Sequence, residues 1–248
     1  AFIFRWLHAT YFKELHTNEK GDLWGISNTY SRLFYSNDNG DNWRRIHGSA
    51  YRTMTTTPNG EHAFILTTGG VLQHISWDSI AQNNYSNPPK ENLEFEGIDS
   101  DDASGITHIA STNSQIWIIV TNETHMNDVF YADIDFDDIN KLEFQRKTGA
   151  DAQYITATDG KIAIIGVSGY TYYISNQSES WELITDELYK KIAMSQYSIY
   201  GITEDDALSA IHIENVDDVD CVGTWSGCNG SGTEGTYSIS QQPSGTGE

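Results

Sequence analysis

Apolar and polar residues alternate in short runs along most of the chain, and one order of runs returns five times. Each copy has a polar turn, an apolar strand, a second turn and another strand of aromatic or apolar residues. A period of two predicts half-buried β-strands, whereas the helical period of 3.6 is weak. A turn of helix is predicted only over 186–193. Equivalent positions in the five copies are Leu23, His62, Ile116, Ile162 and Tyr197.

The spacing of these copies predicts a β-propeller. Equivalent positions lie between 35 and 54 residues apart, and propeller blades of four strands recur about every 40–50 residues. Inner strands of small and β-branched residues, as at 106–110 and 154–157, suit crowding near a central channel. A β-sandwich also uses many short strands and is the structural alternative.

Four copies have an outer strand that begins with a large apolar residue, and the fifth lacks one. Phe2–Trp6, at the opposite end of the chain, has the missing alternation. A terminal strand added to the last sheet covers both exposed edges at once. We therefore predict an all-β fold, a five-bladed β-propeller over residues 1–215 closed by the N-terminal strand. The four outer strands are predicted at 43–46, 93–96, 142–145 and 181–184.

The composition changes after residue 215. Residues 216–248 are predicted to be an acidic linker and a short irregular tail, rich in Gly, Ser and Thr, with too little apolar surface for a core. The tail holds both cysteines of the chain, Cys221 and Cys228. They enclose a loop short enough for a local disulfide, and pairing with cysteines outside this chain is the alternative.

One turn has the pattern S-x-D-x-G-x-x-W. Asp38 can accept hydrogen bonds from the amides of its own turn, Gly40 suits a positive φ angle, and Trp43 re-enters the sheet as an apolar plug. A degenerate copy, one residue shorter and with Gln for Asp, runs from Ser175 to Trp181. The defining residues of the complete motif are Ser36, Asp38, Gly40 and Trp43.

These turns resemble the Asp-box, or BNR, repeats of β-propellers. Gly21–Ile26 followed by Trp43–Ile46 also resembles the tectonin repeat, in which a strand of V-W-G-V type precedes a W-x-x-I strand. The resemblance covers most of residues 1–215. It implies an architectural hairpin between the two outer strands of a blade and says little about ligands.

Residues 221–228 resemble the start of thrombospondin type-1-like repeats in their C-V-G-x-W-S-x-C form. Such repeats are abundant in surface proteins of algae, other protists and large viruses. The C-G-G-G continuation and the further cysteines are missing. The resemblance implies a cut or divergent copy within a larger modular surface protein.

The charge of the chain excludes several partners. Its formal net charge is −21, with 14 basic and 35 acidic residues, so no basic stripe is available for nucleic acid or an anionic membrane. No apolar run approaches the roughly 20 residues that span a bilayer, so direct membrane insertion is not expected.

The termini and the sequons favour a secreted protein. The chain begins at Ala1 without a methionine, which we interpret as a processed start or an excised piece. Together with the cysteine pair, N-x-[ST] sequons predict an extracellular glycoprotein of a cell or virion surface. The candidate acceptors are Asn84, Asn122, Asn176 and Asn229.

Recognisable catalytic patterns are scarce. Asp-box sialidases need an arginine triad and a Tyr–Glu pair, but this chain has six arginines, of which Arg44 and Arg45 are adjacent on one strand. Nucleophilic triads and phosphate-binding loops are absent. We predict no cofactor. Asp133–Asp138 suggests weak Ca²⁺ binding, although strand alternation with Ile134 and Phe136 facing inward explains the run more simply.

We therefore predict a non-enzymatic extracellular module, structural or adhesive, within a larger assembly such as a filament, appendage, coat or virion surface. Its partners are other protein subunits and, in the alternative of a lectin propeller, glycans. A glycoside hydrolase is a less favoured alternative, since 35 acidic residues make accidental carboxylate pairs certain. The candidate glycan contacts are Asn28, Tyr30 and Tyr170.

Overall fold

The computed structural model describes residues 12–78, 88–139, 141–175 and 180–213, and two strands at 223–226 and 236–239. The chain divides into two compact units, Ala1–Ile211 and His212–Glu248. Several residues singled out by the sequence lie outside the described residues. They are Phe2–Trp6, Asn84, Asn176, Cys221, Cys228 and Asn229.

The first unit is a succession of antiparallel sheets, named here A to E, formed by strands that follow one another along the chain. Sheet A contains β1 (Phe12–Thr17), β2 (Leu23–Ser27), β3 (Leu33–Ser36) and β4 (Arg44–His47). Sheet B contains β5 (Tyr51–Thr56), β6 (His62–Thr67), β7 (Leu72–Ser76) and β8 (Glu91–Asn92), and is followed by β9 (Glu94–Glu96) and a short helix, α1 (Ser100–Gly105).

The long strand β14 (Gln145–Thr158) connects the next two sheets. Its first half pairs with β12 in sheet C, and its second half pairs with β15 in sheet D. Sheet C contains β10 (Ile106–Ser111), β11 (Gln115–Thr121), β12 (Met126–Asp133) and the first half of β14, with β13 (Lys141–Glu143) before it. Sheet D adds β15 (Lys161–Gly166), β16 (Thr171–Ser175) and β17 (Glu182–Thr185). Sheet E contains β18 (Tyr189–Met194), β19 (Ser198–Thr203) and β20 (Leu208–His212).

In the second unit, β21 (Gly223–Ser226) pairs antiparallel with β22 (Thr236–Ile239).

The core lies between the faces of neighbouring sheets. Along β6, Ile65 packs into the cluster between sheets A and B, while Phe64 and Leu66 pack into the cluster between sheets B and C. In β11, Ile118 likewise faces sheet B and Ile119 faces sheet D. Successive side chains of a strand point to opposite faces, so a central strand buried on both sides is apolar at every position.

The first strands of the sheets lie next to one another. Strand β5 contacts β1 and β10, and β14 contacts β10 and β18. Thr55 of β5 and Ser111 of β10 share a hydrogen bond of 3.2 Å between their hydroxyl oxygens. The five sheets therefore converge on these inner strands.

Two of the four predicted outer strands are wrong. The strands at 44–47 and 182–185 agree with the prediction to within a residue, but β9 and β13 do not join the edges of sheets B and C. They pair with each other in parallel, and β8 and the first half of β14 take the outer positions instead. The reason is burial, because Leu93, Leu142 and Phe144 enter the core between sheets B and C.

The helical turn predicted over 186–193 is also wrong, since this segment contains strand β18. A register shift between Tyr189 and Lys191 brings Tyr189 and Ile192, three residues apart, to buried positions. A bulged strand thus imitates helical spacing. A helix is found instead in the polar segment Ser100–Gly105.

Candidate functional site

The inner strands of all five sheets line one cavity of about 680 Å³. Each contributes polar or charged side chains from adjacent positions, and Glu204 follows β19. The lining residues are Lys13, Glu14, Leu15, Arg52, Thr53, Thr107, His108, Gln153, Tyr154, Lys190, Lys191 and Glu204.

The lining of this cavity has a charge opposite to that of the chain. Four cationic side chains (Lys13, Arg52, Lys190 and Lys191) stand against two carboxylates, whereas the whole chain has 14 basic residues against 35 acidic ones. The cavity therefore concentrates positive charge in a strongly acidic protein.

Glu14 is held in place by three donors. Its Oε1 accepts hydrogen bonds from Thr53 Oγ1 at 2.7 Å and from the Met54 amide at 3.3 Å, and lies 2.8 Å from His16 Nε2. Burial raises the pKa of the Glu14 carboxyl, but the hydrogen bonds and the charge of His16 outweigh it and hold the pKa below its ordinary value. Glu14 is thus an ionised, fixed acceptor.

Arg52 is held by backbone carbonyls of its own sheet, of α1 and of the first residue of β10. One terminal nitrogen donates to the carbonyls of Ser104 and Ile106, at 2.7 Å each, and the other donates to the Thr68 carbonyl at 3.2 Å. Lys13 Nζ donates similarly to the Tyr51 carbonyl at 2.9 Å. Carbonyl groups orient these cations but are dipoles without net charge, so the cavity keeps its net positive charge.

His108 and Tyr154 form the aromatic part of the cavity wall. Their rings meet edge to face at 5.1 Å. Burial lowers the pKa of His108, with the positive charge of Lys191 acting in the same direction and Glu14 opposing it. Burial and the negative charge of Glu14 raise the pKa of Tyr154. Both rings are therefore neutral at pH 7.

The S-x-D-x-G-x-x-W turn connects β3 and β4, away from the cavity. Ser36 Oγ donates to Asp38 Oδ1 at 2.8 Å and accepts from the Gly40 amide at 3.0 Å. The Asn42 amide donates to Asp38 Oδ1 at 2.8 Å, and Asn42 Nδ2 donates to Oδ2 at 2.6 Å. These donors, the Asn42 side chain first, lower the pKa of Asp38 to about 2. Gly40 has a φ angle of 87°, and the Trp43 ring lies 4.4 Å from that of Phe12.

The degenerate copy of this turn has its ends in sheet D. Ser175 is the last residue of β16, and Trp181 precedes β17. The indole of Trp181 lies edge to face on Trp117 at 6.2 Å, in the core between sheets C and D. Its role is packing.

The three candidate glycan contacts are not brought to the cavity. Asn28 and Tyr30 lie on the turn between β2 and β3, and Tyr170 lies on the corresponding turn of sheet D. Tyr30 is 71% exposed and Tyr170 is 38% exposed.

Asn122, the sequon residue that the structure describes, belongs to a polar network. Its Nδ2 donates to Asp102 Oδ1 at 2.6 Å, and its Oδ1 accepts from the amides of Thr124 and His125. His125 Nδ1 lies 2.7 Å from Asp128 Oδ2, which links the network to β12. This network anchors the loop after β11 to α1.

A histidine pair lies between β6 and β7. His62 Nδ1 is 2.9 Å from His74 Nε2, and the His62 ring stacks on Phe136 with a centroid distance of 3.9 Å. Burial lowers the pKa of each histidine to about 4, and the charge of His74 adds to the effect on His62. Phe136, expected to face inward from a strand, stands instead on the turn after β12 and covers His62.

The described residues contain no cluster of three or more His, Cys, Asp or Glu side chains that could hold a metal ion. Within the same residues, no helix has the length and apolar character to cross a membrane.

Sequence reasoning did not identify the cavity. Its residues come from positions up to about 190 residues apart in the chain, and none belongs to a motif. The available signal was the Lys190-Lys191 pair at an inner strand, in a chain with only 14 basic residues.

Comparison with known proteins shows the fold. No protein-family model matches the chain, and no curated protein sequence matches it. Human WBSCR16 superposes with a TM-score of 0.52 at 11% identity, covering 77% of this chain and 59% of that one. YCF48 bound to D1 peptide superposes with a TM-score of 0.51 at 12% identity, covering 81% of this chain and 63% of that one. A chain of a nidogen/laminin complex superposes with a TM-score of 0.57 at 7% identity, covering 80% of this chain and 74% of that one.

These neighbours are β-propeller proteins, and the chain has an all-β, propeller-type fold. It spans about six-tenths of the length of the first two. At such low identity the likeness concerns the fold alone.

Proposed function

We propose that the chain is a non-enzymatic recognition module that binds a protein partner through the cavity of its inner strands. The observation that carries the proposal is this cavity of about 680 Å³, where five sheets converge with positive charge in an acidic chain. The volume lies within the range of roughly 300–1,000 Å³ that is typical of ligand-binding clefts. Propellers that are similar in fold support it, since one is described as bound to D1 peptide and another, yeast RCC1, as bound by Kap60.

The proposal includes a closed ring of five units. Sheets A, B, C and D each have four strands, counting both halves of β14, whereas sheet E has three within the described residues. Sheet E also exposes Tyr200, Ile202 and Leu208, the last to 78%. A fourth strand from the N-terminal segment would satisfy this edge.

The setting is also a proposal. An extracellular structural or adhesive role in a surface assembly, with Asp-box turns and a thrombospondin-like tail, agrees with the acidic composition of the chain.

Selection from a displayed library of random ten-residue peptides tests the proposal. We expect peptides that bind with a Kd below about 100 µM, and whose binding protects amides of β5, β10 and β14 from hydrogen exchange. Protection confined to the outer strands would contradict the use of the cavity.

Two further assays separate the alternatives. Glycan-array binding that is lost on Tyr30→Ala or Tyr170→Ala, without any peptide binding, would instead favour the lectin. Hydrolysis of a chromogenic glycoside that one carboxylate substitution abolishes would favour the hydrolase.

A further inference from the structure

We propose that the cavity recognises its peptide through a single carboxylate, supplied by an acidic side chain beside an apolar residue. This inference rests on the proposed function, because it names the chemistry of the partner at the same site.

The cations of the cavity are available to such a group. Among the described residues, Lys13, Arg52 and Lys191 form no ion pair, whereas Lys190 pairs with Asp206 at 2.9 Å. Arg52 and Lys13 are held by backbone carbonyls, which leave their charge uncompensated. A carboxylate entering the cavity would meet oriented cations without the cost of ordering them.

Glu14, one of the two acidic lining residues, forms no ion pair with these cations within the part of the chain that the structure describes. Glu14 directs Oε1 to His16, Thr53 and the Met54 amide. The pKa of Lys13 lies below its ordinary value. Burial lowers it most, Glu14 opposes this with its negative charge, and the positive charge of Arg52 lowers it further. A ligand carboxylate would relieve that repulsion between two neighbouring cations.

The same charges disfavour a polyanion. A sulfated glycan or nucleic acid would extend past the cavity over a chain of net charge −21 and would meet Glu14 and Glu204 in the lining. Repulsion then grows with each added charge, whereas one carboxylate experiences chiefly the local cations.

The apolar part of the lining indicates the neighbour of the carboxylate. Leu15 is 59% exposed at the cavity, and the Tyr154 ring forms part of the same wall. An apolar side chain next to the carboxylate would cover both and remove their apolar area from water, which is favourable.

Fluorescence polarisation with matched peptides tests the inference. The probes are fluorescein-labelled ten-residue peptides of Gly, Ser, Leu and Tyr with an amidated C-terminus and one central Glu, and the same amidated peptides with Gln. We expect the Glu peptides to bind at least about tenfold more tightly, with affinity falling as salt rises. Lys191→Glu should abolish the preference, because it replaces a cation of the lining with an anion. The variant should still fold, since the Lys191 ammonium makes no hydrogen bond to the residues that the structure describes. Lys20→Glu, on the exposed turn after β1, makes the same change of charge outside the cavity; it is the matched control and should keep the preference.

Four outcomes would overturn the inference, and three of them concern the peptides. They are equal binding of Glu and Gln peptides, a Glu preference that survives Lys191→Glu, and no binding of either set up to about 1 mM. Competition by heparin or inorganic phosphate without a Glu preference would indicate a polyanion or phosphate site and overturn it too. Library peptides that protect the inner strands but lack any dependence on a carboxylate would leave the proposed function standing and remove only this inference.

Discussion

At the scale of single residues, the sequence is most informative where neighbours in the chain act on each other. The roles of Asp38 and Gly40 follow from the spacing of one octapeptide, because a turn is closed by its own side chains. Glu14 shows the limit. Two of its three donors, Thr53 and the Met54 amide, belong to the next sheet, so its fixed carboxylate depends on contacts between residues about 40 positions apart.

Asp38 should titrate far below an ordinary aspartate. Its pKa of about 2 follows from the donors of Asn42 and Ser36. A depressed carboxyl pKa contributes stability above the unfolded value of about 3.9, and that stability is lost as pH falls through the folded value. Side-chain carboxyl NMR should give a midpoint near 2, and Asn42→Ala should raise it. A midpoint unchanged by Asn42→Ala would contradict the assignment.

The histidine pair should make the folded chain less stable as pH falls. His62 and His74 have pKa values of about 4 in the folded chain, below the unfolded value of about 6.5, so the unfolded chain binds protons first as pH falls. The Tm should therefore decrease between about pH 6.5 and pH 4. His62→Gln/His74→Gln should flatten this decrease. His212→Gln, at an exposed position, should not.

At the scale of elements, the alternation of apolar and polar residues predicted most strands correctly. For two strands, β9 and β13, it predicted the wrong pairing partners. Sequence patterns give the period of a strand but not its neighbour, and β9 and β13 look like outer strands because their apolar residues alternate. A backbone feature accompanies their actual pairing. Gly97, at a φ angle of 83°, packs so closely against Phe144 that a Cβ there would collide with its carbonyl oxygen.

Leu142→Ala should test the importance of this parallel pair. The side chain is fully buried between sheets B and C, so its truncation should lower the free energy of unfolding by about 2–5 kcal/mol in urea titrations. Met126→Ala, at a position 76% exposed, should cost less than about 0.5 kcal/mol. Similar small losses for both would show that β9 and β13 do not close a core.

At the scale of the whole molecule, the repeat predicted the kind of fold and missed the cavity. The five-fold recurrence is visible in one dimension, whereas the cavity exists only where inner strands from distant parts of the chain meet. Net charge was equally misleading, because a value of −21 for the chain conceals a local excess of cations.

Removal of residues 1–11 should test the closed ring. If this segment completes sheet E, its deletion leaves the edge of β20 and the exposed Ile202 uncovered. The Tm should fall by several degrees, as a loss of about 1–2 kcal/mol implies. Addition of a synthetic peptide of residues 1–11 should restore it. A deletion variant as stable as the intact chain would exclude closure by this segment.

The pairing of β9 with β13 has a consequence for how the molecule opens. One strand follows sheet B and the other precedes the last strand of sheet C, so neither sheet can separate without breaking the parallel ladder and the Glu96–Lys141 ion pair of 2.6 Å. Local opening events follow such shared contacts. Sheets B and C should therefore behave as one foldon, with a common opening free energy that sheet E, with three strands in the described part of the chain, does not share.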